Sequence, residues 1–202
     1  MKKILLFMAA ALAAICVSAQ EREGTMTVQP RVGMNMSTMT DYNKTKFGYA
    51  FGMEMEYQMT DIVSLSAALM YSDQGADDDS NGTKQTLDLD FVNVPVMLNC
   101  YLLPGLAVKA GIQPAFRTKA SVKSDGMKVD VDWLLDDLSK LTGEDVTMRK
   151  FMLSVPVGIS YEYNRFVVDA RYNFGLTPIM KGGDGWHNNV LQITLGYKFL
   201  TN

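Results

Sequence analysis

From about residue 25 onward, apolar and polar side chains alternate with a period of two, the mark of strands whose two faces meet different surroundings. In the last such segment Leu191, Ile193, Leu195, Tyr197 and Phe199 alternate with Gln192, Thr194, Gly196 and Lys198. Before it, Phe166, Val168, Ala170, Tyr172 and Phe174 oppose Val167, Asp169, Arg171 and Asn173, and Phe151 to Tyr163 repeats the pattern. Residues 106–119 and 47–59 read the same way, and 25–36, 62–72 and 84–102 complete the set less cleanly. The pattern therefore predicts eight strands, each long enough for the roughly 9–11 residues of a tilted membrane strand.

The links between the strands alternate in length. Thr60-Asp61, Leu103-Pro104-Gly105 and Asn164-Arg165 are tight turns, whereas 37–46, 73–83, 120–147 and 177–187 are longer. Short turns on one side and long loops on the other are the habit of an up-and-down outer-membrane barrel, and an even strand number places both termini at the short-turn, periplasmic side. A soluble lipocalin-like carrier is the inside-out alternative. The apolar face carries the bulky apolar side chains, while the polar face mixes charges with Gly, Ala and Ser. That suits a narrow filled lumen better than a ligand cup. Aromatic residues gather near strand ends (Tyr57, Tyr71, Phe116, Phe151, Tyr161, Tyr163, Phe166, Phe174, Tyr197 and Phe199), as two interfacial girdles would require.

The N-terminus changes the picture of compartment. Lys2 and Lys3 precede an uncharged apolar run from Ile4 to Val17, and Val17-Ser18-Ala19 supplies small residues for cleavage. Residues 1–19 thus read as a secretory signal peptide and 20–202 as one barrel domain. The chain carries 19 Lys and Arg against 22 Asp and Glu, and the leader holds two of the cations and none of the acids. The acidic balance argues against nucleic acid as a partner. Of the two cysteines, Cys16 lies in the leader and Cys100 is left alone, which excludes an internal disulfide framework.

Two segments carry a family resemblance. "FVNVPVMLNCYLLPG" at 91–105, with Val92, Val94, Pro95 and Val96 before a tight turn, and the terminal "LGYKF" at 195–199 resemble the small outer-membrane β-barrel proteins of the PorT type, found in Bacteroidetes. Tyr197-Lys198-Phe199 resembles the closing-strand signal read by the barrel-insertion machinery, although Leu200, Thr201 and Asn202 follow it. The resemblance implies the barrel fold and an outer-membrane location. The founding member assists protein secretion, but no residue here carries that role over.

Candidate sites follow from the faces. Arg31, Glu54, Glu56, Lys109, Glu162, Asp169 and Arg171 fall on the lumen side, with Arg117, Lys119 and Lys198 beside them. Mixed signs in a narrow lumen predict a cross-linked polar plug, because an unpaired buried charge costs several kcal/mol. The single histidine, His187 in "DGWHNN", points outward and has no positioned nucleophile on its face. In the longest loop Leu134, Leu138 and Leu141 share one helical face, with Asp130 or Asp132 as a start signal and Gly143 as a stop.

"DDDSNG" at 77–82 extends to Asp88 as D-x-D-x-N-G-x5-D, close to an EF-hand calcium loop. Asp77, Asp79, Asn81 and Asp88 would be the ligands of a weak Ca2+ site, yet no helices flank the stretch. A solvated acidic hairpin is the plainer reading.

The sequence thus predicts an all-β, eight-stranded antiparallel up-and-down transmembrane β-barrel, with one short helix in the third extracellular loop. It is expected to be non-enzymatic and without a cofactor, a scaffold displaying surface loops in the outer membrane. A secretion accessory, a lipid-modifying enzyme and the soluble carrier are the alternatives. Expected partners are outer-membrane lipid and lipopolysaccharide, the barrel-insertion machinery during biogenesis, and a protein partner engaged through the extracellular loops.

Overall fold

The computed structural model describes residues 23–39, 44–78, 85–124, 127–130, 149–178 and 187–201. The leader, the loop leucines 134, 138 and 141, and residues Asp79 and Asn81 lie outside them. The strands are β1 (Met26–Met39), β2 (Lys44–Thr60), β3 (Val63–Asp78), β4 (Gln85–Asn93), β5 (Val96–Leu103), β6 (Leu106–Ser124), β7 (Met127–Asp130), β8 (Phe151–Tyr163), β9 (Phe166–Gly175), β10 (Asn188–Tyr197) and β11 (Phe199–Thr201).

These segments build eight walls. β4 and β5 form one wall interrupted at Val94-Pro95, where proline removes a ladder donor. The register runs through the break: Asn93 faces Met70 and Ala115, and Val96 faces Ala67 and Ile112. Ala68 N donates to Pro95 O and Val94 N to Pro114 O, which carries the ladder across. β10 and β11 are likewise one wall, divided at Lys198 and paired in one register with β1. β7 folds back on the end of β6 as a short hairpin. Every wall pairs antiparallel with its chain neighbours, and β1 with β10 and β11 closes the ring.

The tight turns have local causes. Asn164 (φ 47°) and Arg165 (φ 78°) are both left-handed, as a two-residue hairpin needs to match strand twist. Gly105 (φ 78°) turns the chain from β5 into β6. At the other end the walls run further than the alternation suggested. β1 continues to Met39, β3 to Asp78 and β6 to Ser124, so the first three loops are shorter than the sequence implied. Above the apolar band the outer face no longer meets lipid and the period-two signal fades, but the hydrogen-bond ladder continues.

Val32, Met34, Met53, Leu69, Leu98, Ile112, Ile159, Val168 and Leu195 all point outward and are exposed. A continuous apolar belt of this kind is untenable in water and is what a bilayer requires. Rings frame the belt. Tyr49, Phe51 and Tyr71 stack at the loop end, with Phe116 against Phe151 and Tyr172 against Phe174. Phe166, Tyr197 and Phe199 cluster at the turn end.

Two departures concern the faces. Lys119 was expected in the lumen but is exposed. The partners of β6 shift by one residue between Phe91↔Arg117 and Asp90↔Lys119, so Thr118 is the extra residue of a β-bulge that turns Lys119 outward. In β4 the polarity is inverted: Leu87, Leu89 and Phe91 are buried, with Asp88 and Asp90 on the opposite face. Together with Ala76, Ala115, Ala120 and Met152 they make an apolar cluster inside the loop end of the barrel.

Candidate functional site: the charge-paired lumen

Alternation aims one residue in two at the barrel axis, and each wall contributes to what meets there. β1 supplies Arg31, β2 Glu54 and Glu56, β6 Lys109, β8 Glu162 and β9 Asp169 and Arg171, with Lys198 at the β10–β11 break. All are buried.

Five of these side chains form one knot. Arg31 reaches Glu54 at 2.8 Å and Asp169 at 3.3 Å. Lys109 lies 2.9 Å from Asp169 and 3.3 Å from Glu54. Arg171 donates through Nε to Asp169 at 2.7 Å, and its Nη2 stands 3.5 Å from Glu54. Arg31 Nη1 also donates to Thr194 Oγ1 at 3.2 Å, and Arg171 Nη1 donates to the Met97 sulfur at 3.4 Å, while Arg31 Nε has no hydrogen-bond partner among the described residues.

A second knot lies nearer the short turns. Lys198 bridges Glu162 at 2.6 Å and Glu56 at 3.2 Å. Glu56 also accepts from Tyr101 Oη at 2.6 Å, Ser64 Oγ at 2.5 Å and Asn99 Nδ2 at 3.3 Å. Gln29 joins the two knots: its Oε1 accepts from Arg31 and its Nε2 donates to Glu56.

The charge count explains the joining. The first knot has three cations and two anions, and the second has one cation and two anions. Neither is neutral alone, whereas together they balance. The attraction at these separations is large in a low-dielectric interior and offsets much of the cost of removing the ions from water. Because the members come from nearly every wall, the network cross-links the ring from inside and occupies the lumen that eight strands leave.

Sequence parity picks out the charged members, but not the neutral ones. Gln29, Ser64, Asn99, Tyr101 and Met97 carry no signal of their own beyond an inward position. The inverted run 86–91 was the legible clue to the apolar cluster, since Asp88 and Asp90 could not face lipid while Leu87, Leu89 and Phe91 faced a polar lumen.

Of the four candidate calcium ligands, Asp77 and Asp88 lie among the described residues. Asp77 lies near the end of β3, opposite Lys44 and Thr86. Asp88 pairs with Lys46 at 2.9 Å and Lys123 at 2.6 Å, and Lys46 also pairs with Asp73. Partial burial works against the Asp88 carboxylate, but the two ammoniums outweigh it and hold its pKa below the ordinary value. Among the described residues no three His, Cys, Asp or Glu side chains gather as a metal site. His187 is half-buried beside Asn188, and its Nδ1 has no hydrogen-bond partner among the described residues.

Comparison with known proteins agrees with this geometry. The attachment invasion locus protein Ail of Yersinia pestis superposes with a TM-score of 0.56 at 14% identity, over 88% of this chain and 99% of that one. Neisserial surface protein A gives 0.56 at 15% identity, over 88% of this chain and 100% of that one. At such identities the likeness concerns the fold. A search of curated proteins found no match. The profile of the outer membrane protein beta-barrel domain matches residues 18–181. With the closed ring, the apolar belt and the filled lumen in place, the chain belongs to the outer membrane protein beta-barrel domain family and resides in the outer membrane.

Proposed function

We propose that this protein is a non-enzymatic, non-conducting scaffold that works through the surface at its loop end. The observation that carries the reading is the balanced lumen. Its buried charges are spent on one another, which leaves neither a water column for transport nor a free acid or base for catalysis. The short-turn end, with both termini, lies in the periplasm, and the loop end lies outside the cell. Residues 1–19 are removed on export.

The narrower likeness to PorT-type barrels rests on 91–105 and 195–199, and a secretion role would act through the loops rather than the lumen. A weak calcium site at Asp77, Asp79, Asn81 and Asp88 would require Asp88 to leave Lys46 and Lys123. The hairpin is better read as an ion-paired edge.

The test of the non-enzymatic reading is mass spectrometry of lipid A and phospholipids from deletion and overproducing strains. Unchanged masses are expected. A mass shift that follows the protein would replace the scaffold with a lipid-modifying enzyme.

A further inference from the structure

Among the loop-end residues whose side chains are described, the exposed cations are Lys119, Lys123 and Lys150, all on β6 or at the entry to β8. Arg149 is half-buried beside them, and its Nε has no hydrogen-bond partner among the described residues. The backbone brings them together. Arg117 N donates to Lys150 O at 2.8 Å, and Arg117 Nε donates to Arg149 O at 3.4 Å. The bulge at Thr118 is what turns Lys119 out to the same edge.

Three acids face the group, and Asp73 among them pairs with Lys46. Asp88 is taken up by Lys46 and Lys123, and Asp90 stands opposite Lys119 and bonds to Tyr71. Lys150 and Arg149 have no acidic partner among the described residues. Directly below, Phe116 and Phe151 meet edge to face at 5.3 Å on the outer surface. Below them Ile112 is exposed. The seam therefore presents an apolar strip, an aromatic pair at the interface and cations just above it.

We propose that this β6–β8 edge binds the phosphate groups of lipopolysaccharide, with its acyl chains along Ile112, Phe116 and Phe151. The proposal rests on the loop end facing the cell exterior. A headgroup phosphate sits at the height of the cations when acyl chains follow the strip below. Cations at a membrane interface gain from such lipid phosphates, whereas a soluble polyanion would make no use of the apolar strip.

The probe is purified full-length protein in detergent, titrated with bisphosphorylated lipid A and with its dephosphorylated form and followed by native mass spectrometry. Wild type is expected to retain the phosphorylated form in preference. The variant K119Q/R149Q/K150Q is expected to bind it at least about tenfold more weakly, with its heat-modifiable gel shift intact. Arg117 and Lys123 are left in place because they hold the strands. Equal binding of both lipids, or a triple variant within twofold of wild type, overturns the site. Sucrose octasulfate binding as tightly as lipid A through the same three residues overturns the lipid and makes the ligand a soluble polyanion. An epitope inserted within 179–186 and read on intact cells checks orientation independently. Access only after permeabilisation overturns the orientation, whereas lost lipid discrimination with an accessible epitope overturns the phosphate site alone.

Discussion

Replacing Asp169 by asparagine removes one charge from the centre of the larger knot while keeping shape. The carboxylate stands 2.7 Å from Arg171, 2.9 Å from Lys109 and 3.3 Å from Arg31. At about 3 Å and an effective dielectric near 20, each contact amounts to about 5 kcal/mol of direct attraction. Most of that is offset, because the mutant no longer desolvates a carboxylate. What remains is the cost of three buried cations facing Glu54 alone, about 3–5 kcal/mol for a broken buried pair. Arg171→Met should cost a similar amount, since Glu54 and Asp169 lose a shared cation. The double variant D169N/R171M restores the balance, so its cost should fall well below the sum of the two. The assay is urea unfolding in detergent, read by the folded and unfolded gel bands. A D169N effect under about 1 kcal/mol, or a double variant as costly as the sum, would refute the balanced-network argument.

Val168→Arg should impair insertion by about 2–4 kcal/mol, because Val168 is 49% exposed on the lipid face. Asn173→Ala, buried in the lumen with an unpartnered Oδ1, should cost far less; refolding yield into vesicles compares them. Gly75 lies at φ 142° with the Leu87 carbonyl where a side chain would go, so Gly75→Ala should destabilise by about 1–3 kcal/mol in the same unfolding assay. Asp88 titrates below its ordinary value when folded, so its contribution should be fully present above about pH 4 and vanish as pH falls through that lower value. Comparing Asp88→Asn with the parent chain in unfolding measurements stepped downward from pH 7 reads this out, and a gap that is unchanged at every acidic pH at which the protein stays folded would contradict the pairing with Lys46 and Lys123.

How much of this the sequence carries follows from what repeats. Where one face meets lipid, as in Phe166 to Phe174 or Leu191 to Phe199, alternation is strict and the wall can be read directly. Turns such as Asn164-Arg165 are legible because few residues tolerate left-handed backbone. The charged lumen residues follow from parity alone, but their partners do not. That Arg31 meets Asp169, or that Gln29 joins two knots, depends on which walls become neighbours when the ring closes. The bulge at Thr118 is invisible because threonine suits a strand on either face, and Lys119 was misplaced for that reason. Above the belt, where neither face meets lipid, the pattern fades before the strands end.

The central claim is that paired side chains close the lumen. Single-channel recording of the unmutated protein in planar bilayers tests it most directly. With Arg31, Glu54, Lys109, Asp169 and Arg171 drawn together across the axis, no stable open state is expected, while D169N/R171M is expected to give at most brief, small openings. Steady ohmic conductance from the unmutated protein, persisting after removal of contaminating porins, would contradict the filled lumen and make transport the function.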